Sequence, residues 1–87
     1  MRFKGNVIVR FKKSVLEPQG KAIELSLKER EYTDVEQIRV GKHIEAVVNA
    51  ENSEEARIKI EKIAESGLYN PVMEVCHIEM EELDETV

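Results

Sequence analysis

The chain is short of most residues that staple a small domain together or carry out chemistry. One cysteine, Cys76, stands among 87 residues, so no internal disulfide can form, and a reducing compartment suits it. Tryptophan is absent and phenylalanine occurs twice. Both phenylalanines, Phe3 and Phe11, fall on the predicted buried face of a strand, so the strand aromatics with which ferredoxin-like RNA-binding domains stack bases are lacking. Apolar runs stop at three residues, as in Val7-Ile8-Val9, far below the roughly 20 that a membrane helix needs. Met1 to Asn6 carry no long apolar run, so no signal peptide is predicted and a cytoplasmic location is expected. The glycines are isolated, and neither GxGxxG nor GxxxxGK[ST] occurs, which removes the phosphate-cradling loops.

Charge, by contrast, is abundant and unevenly spread. The net charge is −5. Residues 1–43 hold ten Lys and Arg against six Asp and Glu, a net of +4, whereas residues 44–87 hold three against twelve, a net of −9. The two halves can attract each other within one molecule or between copies. The acidic total argues against nucleic acid as the main partner, because phosphate binding needs a basic surface.

Residues 2–12 alternate, with Phe3, Gly5, Val7, Val9 and Phe11 on one side, which predicts a strand with one buried face. Gly5 on that face leaves room for something bulky, such as a helix. Ser14 to Gly20 then turns the chain. Pro18 suits a first helical turn and keeps Glu17 extended. Gly20 is a poor helix former, so either close approach of another group or a loosened turn accounts for it. From Pro18 to about Glu31 the period becomes helical, with Ala22, Ile23, Ser26, Leu27 and Arg30 on one side. Residues 34–42 read as a second strand, Gly41-Lys42 as a tight hairpin turn, and Ile44, Ala46 and Val48 as the core side of a third strand. Asn52 and Ser53 are helix caps with Glu54 and Glu55 behind them. Ala56, Ile60, Ile63 and Ala64 form the buried stripe of that helix, and Gly67 is predicted to end it in the left-handed conformation. Val72 to Met80 is the last strand.

The predicted order is βαββαβ, an α+β two-layer sandwich of the ferredoxin-like type: a four-stranded antiparallel sheet with both helices on one face. One domain is expected over residues 1–80, with an acidic, solvated tail at 81–87. The sheet face without helices would carry Ile8, Val47 and one side of the last strand. That strand is apolar on both sides, with Cys76 and Ile78 on one and Met73 and Val75 on the other. An apolar patch there predicts association, so Ile8, Val47, Met73, Val75, Cys76 and Ile78 are the candidate oligomer interface.

No catalytic constellation emerges. His43 and His77 lack metal-ligand spacing, and Cys76 and His77 are strand neighbours whose side chains point to opposite faces, a poor geometry for a nucleophile pair. Glu54/Glu55 and Glu81/Glu82 read as helix-start electrostatics and tail. Arg10, Lys12 and Lys13 form a basic cluster that leads up to the Pro18 turn, a solvated strand face or a contact for a phosphate or an acidic partner.

Three segments are informative together: Val15-Leu16-Glu17-Pro18-Gln19-Gly20 after the first strand, Val35-Glu36-Gln37-Ile38-Arg39-Val40-Gly41-Lys42 before an alternating strand, and Asn70-Pro71-Val72-Met73-Glu74 at the start of the last. In this order and in a chain of this length they resemble the PurS family, the small subunit of phosphoribosylformylglycinamidine synthase. The family usually carries Asp before the Pro, where this chain has Glu17. The resemblance implies a subunit without catalytic residues in purine biosynthesis, which associates with itself as a dimer or tetramer and joins a glutaminase subunit to an ATP-dependent synthetase subunit so that ammonia passes between them. It also implies that this chain binds no cofactor or metal, while ATP, Mg and glutamine are used by the partner subunits. The partner contacts are expected on Glu17, Pro18, Gln19, Gly20, Arg39, Gly41 and Lys42. The rival reading is a ferredoxin-like sensor that dimerises and binds an amino acid or nucleotide. An acylphosphatase-type enzyme would need an Arg in the loop after the first strand, and residues 13–20 contain none.

Overall fold

The computed structural model describes residues 1–83. Its elements are β1 (Arg2–Phe11), α1 (Pro18–Glu29), β2 (Lys42–Asn49), α2 (Ser53–Ile63), continued by a wider turn at Ala64–Leu68, and β3 (Glu74–Glu82). The three strands form one antiparallel sheet in the order β2-β1-β3. The fold is α+β, but the predicted four-stranded ferredoxin-like sheet is not formed.

The missing strand is the one expected over 34–42. Its amides on one side are taken by carboxylates instead of a ladder: Ile38 N donates to Glu24 Oε1 at 3.4 Å and Val40 N to Glu17 Oε1 at 2.8 Å. Gln37 sits at φ 59°, which breaks an extended run. Consequently Gly41-Lys42 is no hairpin turn, and β2 begins at Lys42 itself. β3 starts two residues later than predicted and runs on through Glu81 and Glu82, which lie opposite Lys4 and Phe3 of β1. Part of the predicted tail is therefore strand, and its residues 84–87 lie outside the described residues.

β1 behaves as its alternation requires. Phe3, Gly5, Val7 and Val9 are buried, and Phe11 is half-buried at the end of the strand. Above them lies α2, which with the first residue of the wider turn presents Ala56, Ile60 and Ala64 to the sheet, while Ile63 from the predicted stripe is exposed. Gly5 is the point of contact. A Cβ there would meet three atoms of Ile60 at 2.7–2.9 Å, so the glycine lets a fully buried isoleucine seat on the central strand. The Asn52 side chain caps α2 by accepting from Glu55 N at 2.8 Å, as its sequence signal requires. Gly67 departs from its expectation: its φ of 168° is extended backbone, not the left-handed cap.

The second correction concerns α1. α2 packs on all three strands, whereas α1 makes no comparable packing against any of them. Only one helix covers the sheet. The α1 residues that are buried are Gly20 and Glu24, not the predicted stripe, of which Ala22, Ile23 and Arg30 are exposed and Ser26 and Leu27 half-buried. The molecule is drawn out as a result. Its radius of gyration is 17.0 Å, against about 12 Å for a compact domain of this length.

Candidate partner interface

The site builds from the α1 start. Glu17 has extended φ/ψ and precedes Pro18 at the first helical position, as the backbone restriction before proline dictates. Its carboxylate turns back over the helix end and accepts Gln19 N and Gly20 N, both at 2.7 Å. Those are two of the amides that a helix start leaves without partners. The same carboxylate accepts Val40 N. Glu17 thus joins the α1 start to the strap that precedes β2. Glu24, two turns along, repeats the arrangement with Ile38 N, and Lys21 and Lys28 flank it at 3.5 and 3.3 Å.

Gly20 is the reason the strap can lie this close. A Cβ on Gly20 would fall inside contact distance of the Ile38 carbonyl oxygen, so close backbone approach explains a glycine in the first helical turn. Gly41 does the same against the Val9 carbonyl oxygen. Arg39 fastens the other side of the strap, its guanidinium donating to Lys12 O at 3.0 Å and Val15 O at 2.8 Å.

Burial works to raise the carboxyls of Glu17 and Glu24. For Glu17 the N–H groups of Val40, Gly20 and Gln19, together with the Arg39 charge, outweigh burial and hold it below its ordinary value. For Glu24 the Ile38 N–H and the two lysines do so. Both side chains are therefore charged acceptors at neutral pH, which is the stronger form of such hydrogen bonds.

The expected contact residues thus come together from two distant segments. Glu17 and Gly20 are spent inside the chain, whereas Pro18, Gln19, Arg39, Gly41 and Lys42 are exposed. Arg39, Gly41 and Lys42 border a groove of about 1390 Å³ between α1, the strap and the end of β1, whereas Pro18 and Gln19 lie outside its lining. Sequence reading missed Leu16 and Glu24. Leu16 is 76% exposed on the groove wall, and Glu24 was hidden because a carboxylate on a helix reads as solvated.

The expected oligomer residues divide between the faces. Ile8, Val47 and Val75 lie on the face without α2, as the strand register requires. Val47 and Val75 are well exposed there, as is Met73 just before β3. Cys76 and Ile78 are corrected: they face α2 and pack in or against its core, so they are not on the open face. The neighbouring Cys76 thiol, with burial and the Glu65 charge, holds the Tyr69 phenol above its ordinary value. His77 points the other way, beside Glu79 at 3.3 Å. Among the described residues no group of His, Cys, Asp and Glu is placed to hold a metal ion, and no helix is long and apolar enough to cross a membrane.

Fold and site define a small α+β chain that presents exposed apolar and charged surfaces. The profile of the family "PurS: Phosphoribosylformylglycinamidine (FGAM) synthase" matches residues 4–82, and the chain belongs to that family, subunits of an enzyme of purine biosynthesis. It is similar to phosphoribosylformylglycinamidine synthase subunit PurS of Thermotoga maritima, 39% identical over 83% of this chain and 88% of the relative. The corresponding subunit of Methanocaldococcus jannaschii is 29% identical over 94% and 99%. Among solved structures, Thermus thermophilus PurS superposes with a TM-score of 0.83 at 41% identity, over 97% of this chain and all of that one. A chain of PurLQS from Thermotoga maritima gives 0.84 at 35% identity, over 92% and 98%.

Proposed function

We propose that this chain is a non-catalytic bridging subunit of phosphoribosylformylglycinamidine synthase in the cytoplasm. It self-associates and joins a glutaminase subunit to an ATP-dependent synthetase subunit. Ammonia released from glutamine then attacks the amide that ATP has activated, without escaping to solvent. ATP, Mg and glutamine belong to the partner subunits. The reading draws support from one observation above all: the chain is drawn out to 51 Å along its longest axis, with α1 held off the sheet and apolar side chains such as Leu16 and Val47 exposed. A chain that leaves this much apolar surface uncovered is built to be covered by others. The likeness to a chain of PurLQS is in keeping with partner subunits of that kind. The sensor reading has no such support.

The test is reconstitution. Mixed with the glutaminase and synthetase proteins, ATP and glutamine, the chain is expected to co-elute with both, and glutamine-dependent synthesis is expected to require it. Synthesis at the full rate without the chain, or no co-elution under any nucleotide condition, would overturn the proposal.

A further inference from the structure

We propose that Arg39 is a positioning residue: it holds the turn at residues 12–15 so that Leu16 projects as a fixed knob into an apolar, acid-rimmed hollow on a catalytic subunit of the enzyme. This rests on the bridging role proposed above and specifies one contact that carries it.

Arg39 is exposed on the strap, yet its guanidinium is used inside the chain. Nη2 donates to Lys12 O at 3.0 Å and to Val15 O at 2.8 Å. Val15 N donates to the same Lys12 O at 2.9 Å and closes the turn, and Lys12 N donates to Met73 O at 2.9 Å. The turn is thus fastened both to the strap and to the segment before β3. The residues so ordered belong to neither core cluster. Lys13, Ser14 and Leu16 are exposed. Ordering exposed backbone costs conformational entropy, with no burial to offset it. The order has a use where another protein binds, because a contact already fixed before partners meet costs less to make.

The side chains around the turn say what it fits. Leu16 supplies an apolar tip, and Val72 and Met73, beside the Lys12–Met73 bond, are exposed with it. The cations Arg10, Lys12, Lys13 and Lys42 at this end have no ion-pair partner among the described residues, while Lys21 and Lys28 are held by Glu24. Of the carboxylates here, Glu17 and Glu24 accept strap amides and Glu74 accepts Asn70 N, which leaves Glu36 on the strap. The rim is net basic and selects an acidic surround. A projecting leucine also needs a hollow. Leu16 already forms part of the wall of the large groove, and the smaller cavity, about 260 Å³, is lined by the charged Arg57, Glu61 and Glu65. Among the described residues those hollows give no separate apolar seat for Leu16 in a second copy, so the fitting occupant is a different protein.

The experiment titrates the full chain, as wild type and as R39Q, into the synthetase and glutaminase proteins with ATP and glutamine. The concentration of chain that gives half-maximal glutamine-dependent synthesis is expected to rise by about tenfold or more in R39Q, since freeing even one residue's backbone costs of that order on binding. The rate at saturation is expected to stay at the wild-type value, because the assembled contact is the same. In the free chain, residue-resolved amide exchange is expected to speed up at Val15 and to stay unchanged along β1, and thermal melts establish that R39Q folds. Adding L16S to R39Q is expected to weaken half-saturation less than L16S does on its own, as a residue acting through Leu16 requires. Unchanged exchange at Val15 would show that Arg39 does not hold the turn, and unchanged half-saturation that the held turn is not used; either overturns the proposal while the bridging role stands. So would effects of the two substitutions that simply add. A changed oligomeric mass of R39Q in light scattering would place Arg39 in contacts between copies and overturn the proposal as well. Full-rate synthesis without the chain would remove the bridging role and this proposal together.

Discussion

The carboxylate of Glu17 accepts the backbone N–H of Val40, 23 residues away, at 2.8 Å, while capping the helix that starts beside it. One side chain thereby sets where α1 begins and where the strap before β2 must lie. The exposed residues that border the groove are placed by that double use.

Replacing Glu17 with Gln removes the charge while keeping the size. The expected outcome is a fall in Tm of roughly 4–8 °C at pH 7, from a lost helix cap and a weakened tether. The pH dependence follows from the direction of the shift. The Glu17 and Glu24 carboxyls lie below their ordinary value of 4.5 when folded, so their contribution is complete above that value and is lost as the pH falls through the folded values beneath it. The difference between E17Q and the parent should therefore shrink on acidification below about 4.5. Melting curves from pH 7 down to 2.5 check this; a constant difference would be the wrong result.

Gly20→Ala tests the close approach of the strap. Alanine is the better helix former by about 0.5–1 kcal/mol, so a free helix would gain. Here the new methyl meets the Ile38 carbonyl oxygen and a Glu17 oxygen, and neither can yield without losing the tether. A net loss of about 1–3 kcal/mol in urea unfolding is expected. A gain would mean that the strap moves freely.

Gly5→Ala should cost about 1–3 kcal/mol by overpacking against Ile60. Shortening Ile60 to Val removes its Cδ1, one of the atoms in the way. The double variant G5A/I60V is therefore expected to be less destabilised than the two single changes summed, and a double-mutant cycle measures that coupling.

Leu16→Ser separates folding from assembly. Leu16 is 76% exposed, so stability should stay within about 0.5 kcal/mol of the parent. Association with its own copies or with the synthetase and glutaminase proteins should weaken, read by light scattering. Unchanged association with all of them would take Leu16 out of the contact surface.

The parts of the fold that could be read from the sequence are those fixed by local rules. β1 follows from strict alternation, the α2 cap from Asn52, the α1 start from Pro18. The segment 34–42 misled because Ile38 and Val40 carry a strand-like pattern while their amide partners, Glu24 and Glu17, lie 14 and 23 residues upstream. The α1 stripe misled for a related reason. Amphipathicity marks a face that will be covered, and within one chain nothing covers it. Gly67 misled because a helix can widen and end without a left-handed residue.

The sequence by itself determined that this chain can form no internal disulfide and joins a basic first half to an acidic second half, and that β1 alternates, because composition and period need no partner to be read. Its resemblance to the PurS family was likewise carried by short segments. Only the tertiary structure decided that the sheet has three strands, that one helix covers it while the other stands apart, and that the Pro18 turn and the Arg39 strap form one groove. Those outcomes depend on which distant groups satisfy which backbone amides, and such pairings are settled by the folded chain's geometry.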